Sequence, residues 1–227
     1  MGDRGNKRDR GASTLSKALK DPVSGLSHLA GAALSVVGLL ALLRVGIANH
    51  DPWQIVSFAI FGGSLILLYS ASATYHLLNV PKRAEIVLRK LDHIMIFVLI
   101  AGTYTPICLI PLRGAAGYAM LAVVWSLAIA GVFFKVFYLN APRWAYTGVY
   151  LLMGWISLFV IVPLVRAVGF RTLLWLLIGG VCYSVGAVIY GLKKPNLIPG
   201  WLGFHEIFHI FIILGSLSHF RFVLLLA

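Results

Sequence analysis

The stretch PWQIVSFAIFGGSLILLYSASATYHL, residues 52–77, decides the fold because it is a long apolar run without a single Lys, Arg, Asp or Glu. A helix needs about 20 predominantly apolar residues to cross the hydrocarbon core of a bilayer. Backbone polar groups in lipid must find their hydrogen bonds within the segment, so this stretch is predicted to be a transmembrane helix.

Further apolar runs of similar length lie on either side of this stretch, at residues 25–47, 91–111, 115–134, 143–165, 172–192 and 202–224. Together they predict an all-α protein, a seven-transmembrane-helix bundle at residues 25–227 that follows a basic tail at residues 1–24. The chain is 60% apolar and 11% charged, whereas an ordinary soluble domain is roughly 45–50% apolar and about 25% charged. A soluble globular domain is therefore excluded.

The basic residues of the chain predict its orientation in the membrane. The formal net charge is +12, but these charges lie in a tail and short loops between apolar runs, so we expect no nucleic-acid partner. By the positive-inside rule the N-terminus is predicted to be cytoplasmic and the C-terminus outside, in a multi-pass protein of the cell membrane. The residues predicted to share the cytoplasmic side are Arg4, Lys7, Arg8, Arg10, Lys17, Lys20, Lys82, Arg83, Arg89, Lys90, Lys135, Arg143, Lys193 and Lys194.

Two cytoplasmic segments have a predicted structure of their own. Residues 1–20 are charged and short of large apolar side chains, so we expect disorder and attraction to anionic lipid headgroups. The second loop contains Pro81, which suits the first turn of a helix, and the residues up to Lys90 are predicted to form a short amphipathic helix.

Polar residues gather at the cytoplasmic ends of three predicted helices. His76 ends the second helix, with Ser72 one turn earlier on the same face. Asp92 begins the third helix, and His205 and His209 begin the seventh. Each alone is typical of a helix end, but ionisable groups that share one membrane depth usually face the bundle interior. The sequence therefore predicts one buried polar site.

The residue types at this site predict a metal centre. His205 and His209 stand one turn apart on one helical face, so both imidazoles can reach a single ion at about 2.0–2.1 Å. A third imidazole from His76 gives three nitrogen ligands and leaves a fourth position for water, as in catalytic zinc sites. Zinc lowers the pKa of bound water to about 7, and Asp92 is then the candidate base or hydrogen-bond acceptor, with Ser72 as an orienting group.

An intramembrane metalloprotease is an alternative, because residues 205–209 fit His-Glu-x-x-His, in which the Glu is the general base. Such an enzyme needs a third ligand further along the chain. His219 is the candidate, yet it lies ten residues beyond His209, about 15 Å along a helix, which is too far to share the ion. The direction of Glu206 stays open. His93 is expected to form interface hydrogen bonds, and His50 and His219 are expected toward the outside.

The motifs in combination resemble the bacterial hemolysin III family. They are Ser72 with His76, Leu91-Asp92-His93, Ala101-Gly102-Thr103-Tyr104-Thr105-Pro106, and His205 with His209. That family is related to the adiponectin and progestin receptors and more distantly to the alkaline ceramidases. The resemblance implies seven helices with a cytoplasmic N-terminus, zinc held by His76, His205 and His209, and Asp92 near the metal water.

The chain departs from that pattern just before the first helix. Many relatives carry Glu and Asn there, whereas this chain reads Asp21-Pro22-Val23-Ser24-Gly25-Leu26-Ser27-His28. His28 lies near the same cytoplasmic edge, where it either supports a metal ligand or forms hydrogen bonds at the helix end.

Two functions follow as hypotheses. The first is a zinc-dependent hydrolase for a lipid amide or ester that enters from the bilayer, in which Asp92 handles the proton and Ser72 assists. The second is a non-enzymatic, receptor-like or pore-forming (haemolytic) membrane protein with a structural zinc. The sequence has no ring of charges in the middle of its helices, which argues against a wide channel.

Overall fold

The computed structural model describes residues 19–137, 142–198 and 201–227, and these residues are almost entirely helical. Most of the predicted basic tail therefore lies outside the described residues. The helices are α1 (Pro22–Ala48), α2 (Pro52–Leu77), α3 (Lys82–Leu109), α4 (Ala115–Phe137), α5 (Arg143–Gly154), a 3₁₀ segment (Trp155–Val160), α6 (Ile161–Val168), α7 (Phe170–Leu192) and α8 (Phe204–Leu224). The all-α prediction is confirmed.

Six helical spans in the described part of the chain are long and apolar enough to cross a membrane, counting residues Trp144–Val168 as one span. The boundaries predicted for these spans agree with the structure to within about three residues. The chain is therefore a multi-pass membrane protein. The seventh crossing, by α3, and the orientation of the termini remain predictions.

Helix α3 occupies the interior of the bundle. It packs against α2, α4, α5 and α8, and every residue from Ala101 to Leu109 is buried. Close packing requires glycine on the neighbouring helix, because a Cβ atom at Gly131 of α4 would collide with the Phe97 ring. The remaining contacts form a ring in which α1 packs on α2 and α8, and α8 packs on α7.

The amphipathic helix predicted before the third segment is not a separate element. Helix α3 starts at Lys82, directly after Pro81, and continues into the apolar segment without interruption. Residues 82–91 contain neither Gly nor Pro and are rich in Ala, Glu, Leu, Lys and Arg, which are strong helix formers. The local preference therefore joins the two segments into one helix.

The fifth predicted helix is broken into α5, the 3₁₀ segment and α6. The Tyr104 side chain of α3 stabilises this break. Its hydroxyl donates to the Gly154 carbonyl over 2.7 Å and accepts from the Ser157 amide over 2.8 Å. Irregular backbone at membrane depth is tolerated where protein groups satisfy it.

Replacing Tyr104 with Phe should destabilise the protein. The change leaves the Gly154 carbonyl and the Ser157 amide without the hydroxyl, and a buried backbone group without a partner costs about 1–3 kcal/mol. Unfolding in detergent measures the loss. Tyr118→Phe is the matched control, since Tyr118 is 44% exposed. Equal stability of the two variants would contradict the role given to Tyr104.

Candidate metal centre

Three imidazoles from two helices meet at one point. His76 lies in the last turn of α2, and His205 and His209 lie in the first turns of α8. One ring nitrogen from each lies within 4.8 Å of those of the other two. The Nε2 atoms of His76 and His205 are 3.3 Å apart, and two nitrogens bound to one tetrahedral zinc at 2.0–2.1 Å would be separated by about 3.3 Å. The predicted ligands are thus brought together in a geometry that fits a metal ion.

The burial of His209 supports the same interpretation. This side chain is 2% exposed, and its Nδ1 has no hydrogen-bond partner among the described residues. Buried polar atoms in proteins nearly always have a partner. A metal ion held by the three imidazoles would offset the cost of burying them.

Glu206 serves the start of α8. Its Oε2 accepts from the Gly203 backbone N–H over 2.9 Å, as in a capping box, and its Oε1 accepts from the Ser24 hydroxyl of α1 over 3.1 Å. Both carboxylate oxygens therefore take part in fixing the first turn of α8. This arrangement gives Glu206 a structural role and speaks against the metalloprotease alternative.

Ser72 and Asp92 lie together on the other side of the site. Ser72 is 2% exposed, and both side chains line the same cavity as His205 and His209. The structure therefore brings the predicted acid and its predicted orienting group to the histidine cluster.

The cavity has a volume of about 160 Å³ and extends from the histidine cluster into the apolar part of the bundle. At its polar end lie Ser72, Asp92, His205 and His209; Leu68, Leu99, Ile107, Leu176 and Ile212 supply apolar walls. His219 lines its far part, and ten helical residues from His209 to His219 span about 15 Å. The arrangement is that of a pocket with a few convergent polar groups and an otherwise apolar lining.

Comparison with known proteins identifies the family. The model of the family described as haemolysin-III related matches residues 16–220. The chain belongs to this family. It is 39% identical over 201 residues to the hemolysin-3 homolog of Bacillus subtilis (strain 168), covering 88% of this chain and 91% of that protein. It is 37% identical over 211 residues to hemolysin-3 of Bacillus cereus, covering 92% and 93%.

More distant relatives extend the relationship beyond bacteria. The human monocyte to macrophage differentiation factor is 24% identical to this haemolysin-III-related chain over 190 residues, which is 82% of this chain and 75% of the human protein. The resemblance found in the sequence motifs is confirmed.

Two other histidines of this haemolysin-III-related protein, His28 and His219, are buried inside the bundle. His219 is buried, and its Nε2 donates to the Leu176 carbonyl over 3.1 Å, so it packs inside the bundle. His28 is also buried, and its ring stacks on that of His209 with 3.8 Å between centroids. Of the two roles expected for His28, contact with a candidate metal ligand is the one seen. His50, by contrast, is exposed at the turn between α1 and α2.

Two charged residues near the site, Asp21 and Lys135, are not among the predicted site residues. Asp21 places Oδ2 3.1 Å from Nδ1 of His76, although an Asp before a helix ordinarily predicts a cap. Lys135 was assigned to a cytoplasmic loop, yet it belongs to α4 and is fully buried. Its Nζ lies 3.6 Å from the centroid of the Tyr146 ring, and Tyr146 lines the same cavity as Asp92. The sequence feature that could have indicated this burial is the position of Lys135 inside the end of an apolar run.

The His76→Ala, His205→Ala and His209→Ala variants should each lose the zinc that the purified wild-type protein is expected to bind. Removing one of three imidazoles leaves too few ligands to retain the ion. Elemental analysis of the purified proteins gives the stoichiometry.

His50→Ala is the control for this experiment, because His50 is exposed on the turn after α1. It should retain the wild-type zinc content. A well-folded wild-type protein without metal after zinc supplementation would contradict the metal centre.

Proposed function

We propose that this haemolysin-III-related protein is a zinc-dependent hydrolase that cleaves a lipid amide or ester within the membrane. The observation that carries the proposal is the position of the histidine cluster at one end of an apolar cavity, with Asp92 and Ser72 on the wall beside it. A metal, a proton acceptor and an apolar pocket are the parts that hydrolysis of a lipid carbonyl needs.

His76, His205 and His209 would hold the zinc through one nitrogen each. Zinc bound by three imidazoles supplies a Lewis acid and a water whose pKa is about 7. A structural zinc site has four protein ligands as a rule, whereas the described residues bring three ligand atoms together here. The donor set therefore favours a catalytic ion over the structural zinc of the non-enzymatic alternative.

Asp92 is proposed to accept the proton released by the attacking water and to return it to the leaving group. General acid–base groups of this kind contribute about 10²–10⁴-fold to the rate. The Ser72 hydroxyl lines the same cavity and is proposed to orient the Asp92 carboxylate.

The cavity indicates the class of substrate. Its walls are largely apolar from the histidine cluster to the level of His219. A hydrocarbon chain could therefore move from the bilayer into the cavity without leaving an apolar environment. The carbonyl group at the end of that chain would then lie beside the three imidazoles. A lipid amide or ester satisfies both requirements.

The proposed site faces the cytoplasmic leaflet of the cell membrane. This placement rests on the excess of Lys and Arg in the loops at the same ends of the helices as His76 and Asp92.

Asp92→Asn should lower kcat by about 10²–10⁴-fold because the amide cannot take up a proton. Ser72→Ala should lower kcat by about tenfold, which corresponds to losing one orienting hydrogen bond. Hydrolysis of a fluorescent fatty amide and a fluorescent fatty ester in lipid nanodiscs measures both effects. Neither variant should change the zinc content.

The matched control is Asp51→Asn, which removes a carboxylate at the opposite end of α2. It should keep the wild-type kcat. Wild-type turnover by Asp92→Asn, or an equal loss in Asp51→Asn, would contradict the assignment of Asp92 as the proton acceptor.

Reporter fusions should show that the two termini lie on opposite sides of the membrane. Alkaline phosphatase fused after Ala227 should be active in a bacterial inner membrane, because that enzyme folds only outside the cytoplasm. The same reporter before Met1 should be inactive. The reverse pattern would place the site at the outer leaflet.

A further inference from the structure

Two helices of this protein begin with the same dipeptide, and the two aspartates behave differently. Asp51 precedes Pro52 at the start of α2 and caps that helix, accepting from the Trp53 and Gln54 amides over 2.9 and 3.4 Å. Asp21 precedes Pro22 at the start of α1 and makes no side-chain cap hydrogen bond. Asp is a favoured N-cap residue, so the Asp21 carboxylate does not form the hydrogen bond that its position predicts.

The Asp21 carboxylate is directed at a candidate metal ligand. Its Oδ2 lies 3.1 Å from Nδ1 of His76, while Nε2 of His76 lies 3.3 Å from Nε2 of His205. The two nitrogens of the His76 ring are thus divided between the carboxylate and the histidine cluster. A proton on Nδ1, donated to Asp21, leaves the lone pair of Nε2 free to bind a metal.

The backbone around Asp21 is fastened to the end of α2. The Asp21 amide donates to the His76 carbonyl over 2.8 Å, and the Lys20 amide donates to the Leu77 carbonyl over 3.4 Å. The Lys20 ammonium pairs with Glu85 at 2.9 Å and lies 3.8 Å from the centroid of the Tyr75 ring. The carboxylate is consequently held against His76 by contacts that do not involve its own oxygens.

The same face of α1 contacts the other candidate ligand helix. Ser24 is three residues after Asp21, and His28 is seven residues after it, so the three side chains lie on one helical face. Ser24 donates to Glu206, which caps α8, and the His28 ring stacks on His209. The start of α1 therefore contacts both helices that carry the histidine cluster.

We propose that the Asp21, Ser24 and His28 face of α1 positions the three imidazoles, and that Asp21 is the positioning residue for His76. This inference rests on the proposed metal centre. Groups that hold a ligand histidine from its far nitrogen fix the ring orientation and raise the basicity of the ligand, and losing one typically lowers metal affinity by 10–100-fold.

Zinc affinity of the full-length protein in detergent tests the proposal, measured by competition with a chromophoric chelator. Asp21→Ala should bind zinc about 10–100-fold more weakly than the wild type. Asp21→Asn should lie between them because its amide oxygen still accepts a hydrogen bond, and Asp21→Glu should recover part of the loss. The visible spectrum of the protein loaded with Co²⁺ should change in Asp21→Ala, since it reports the ligand geometry directly.

Asp51→Asn and Asp51→Ala are matched controls, because they remove the second Asp-Pro carboxylate. They should lower thermal stability while leaving zinc affinity and the Co²⁺ spectrum at wild-type values. Unfolding of the metal-free proteins separates a folding defect from a binding defect, and Asp21→Asn keeps the experiment decisive if Asp21→Ala does not fold.

The outcomes distinguish this inference from the proposed function. Wild-type zinc affinity in the Asp21 variants, or an equal loss in the Asp51 variants, overturns the positioning role and leaves the metal centre standing. A wild-type protein that binds neither Zn²⁺ nor Co²⁺ overturns the metal centre and the inference together.

Discussion

The structure depends on one constraint: a polar group within the bundle has no bulk water to bond with, so it must find its partner in the protein. Tyr69, Ser216 and Tyr183 meet this requirement with a chain of hydroxyl contacts of 2.7 and 2.8 Å across α2, α8 and α7. Trp155 and Ser184 meet it with a hydrogen bond of 3.0 Å. The proposed metal would extend the same rule to the histidine cluster, because one ion bound by three imidazoles gives a nitrogen of each a partner.

Much of the fold could be predicted from the sequence because each membrane-spanning helix requires a run of about 20 mostly apolar residues. The apolar runs locate the helices, and the His205 to His209 spacing with His76 locates the candidate site. Interactions between distant residues could not be predicted in this way. The break near Ser157 depends on the Tyr104 hydroxyl, more than 50 residues earlier in the chain. Asp21 has the sequence signature of an ordinary helix cap, and only the tertiary structure shows its carboxylate turned to His76.

The elements divide their tasks around the cavity. Helices α2 and α8 supply the candidate ligands, α3 supplies Asp92, and α1 holds the ligand helices through Asp21, Ser24 and His28. Helices α5 and α7, with the 3₁₀ segment between α5 and α6, contribute mostly wall residues such as Tyr150, Trp155 and Leu177. Variation of these wall residues would therefore alter the shape of the cavity without changing the histidine cluster.

The separation of His76 from His205 along the chain has a consequence for biogenesis. These two residues are 129 positions apart, and α8 leaves the ribosome after α1 to α7. A nascent chain that has inserted α1 to α7 carries one of the three imidazoles, which is too few to retain zinc against cellular chelators. Capture of the proposed ion would therefore wait until α8 has joined the other helices, and its binding free energy would stabilise only molecules in which all three imidazoles have come together.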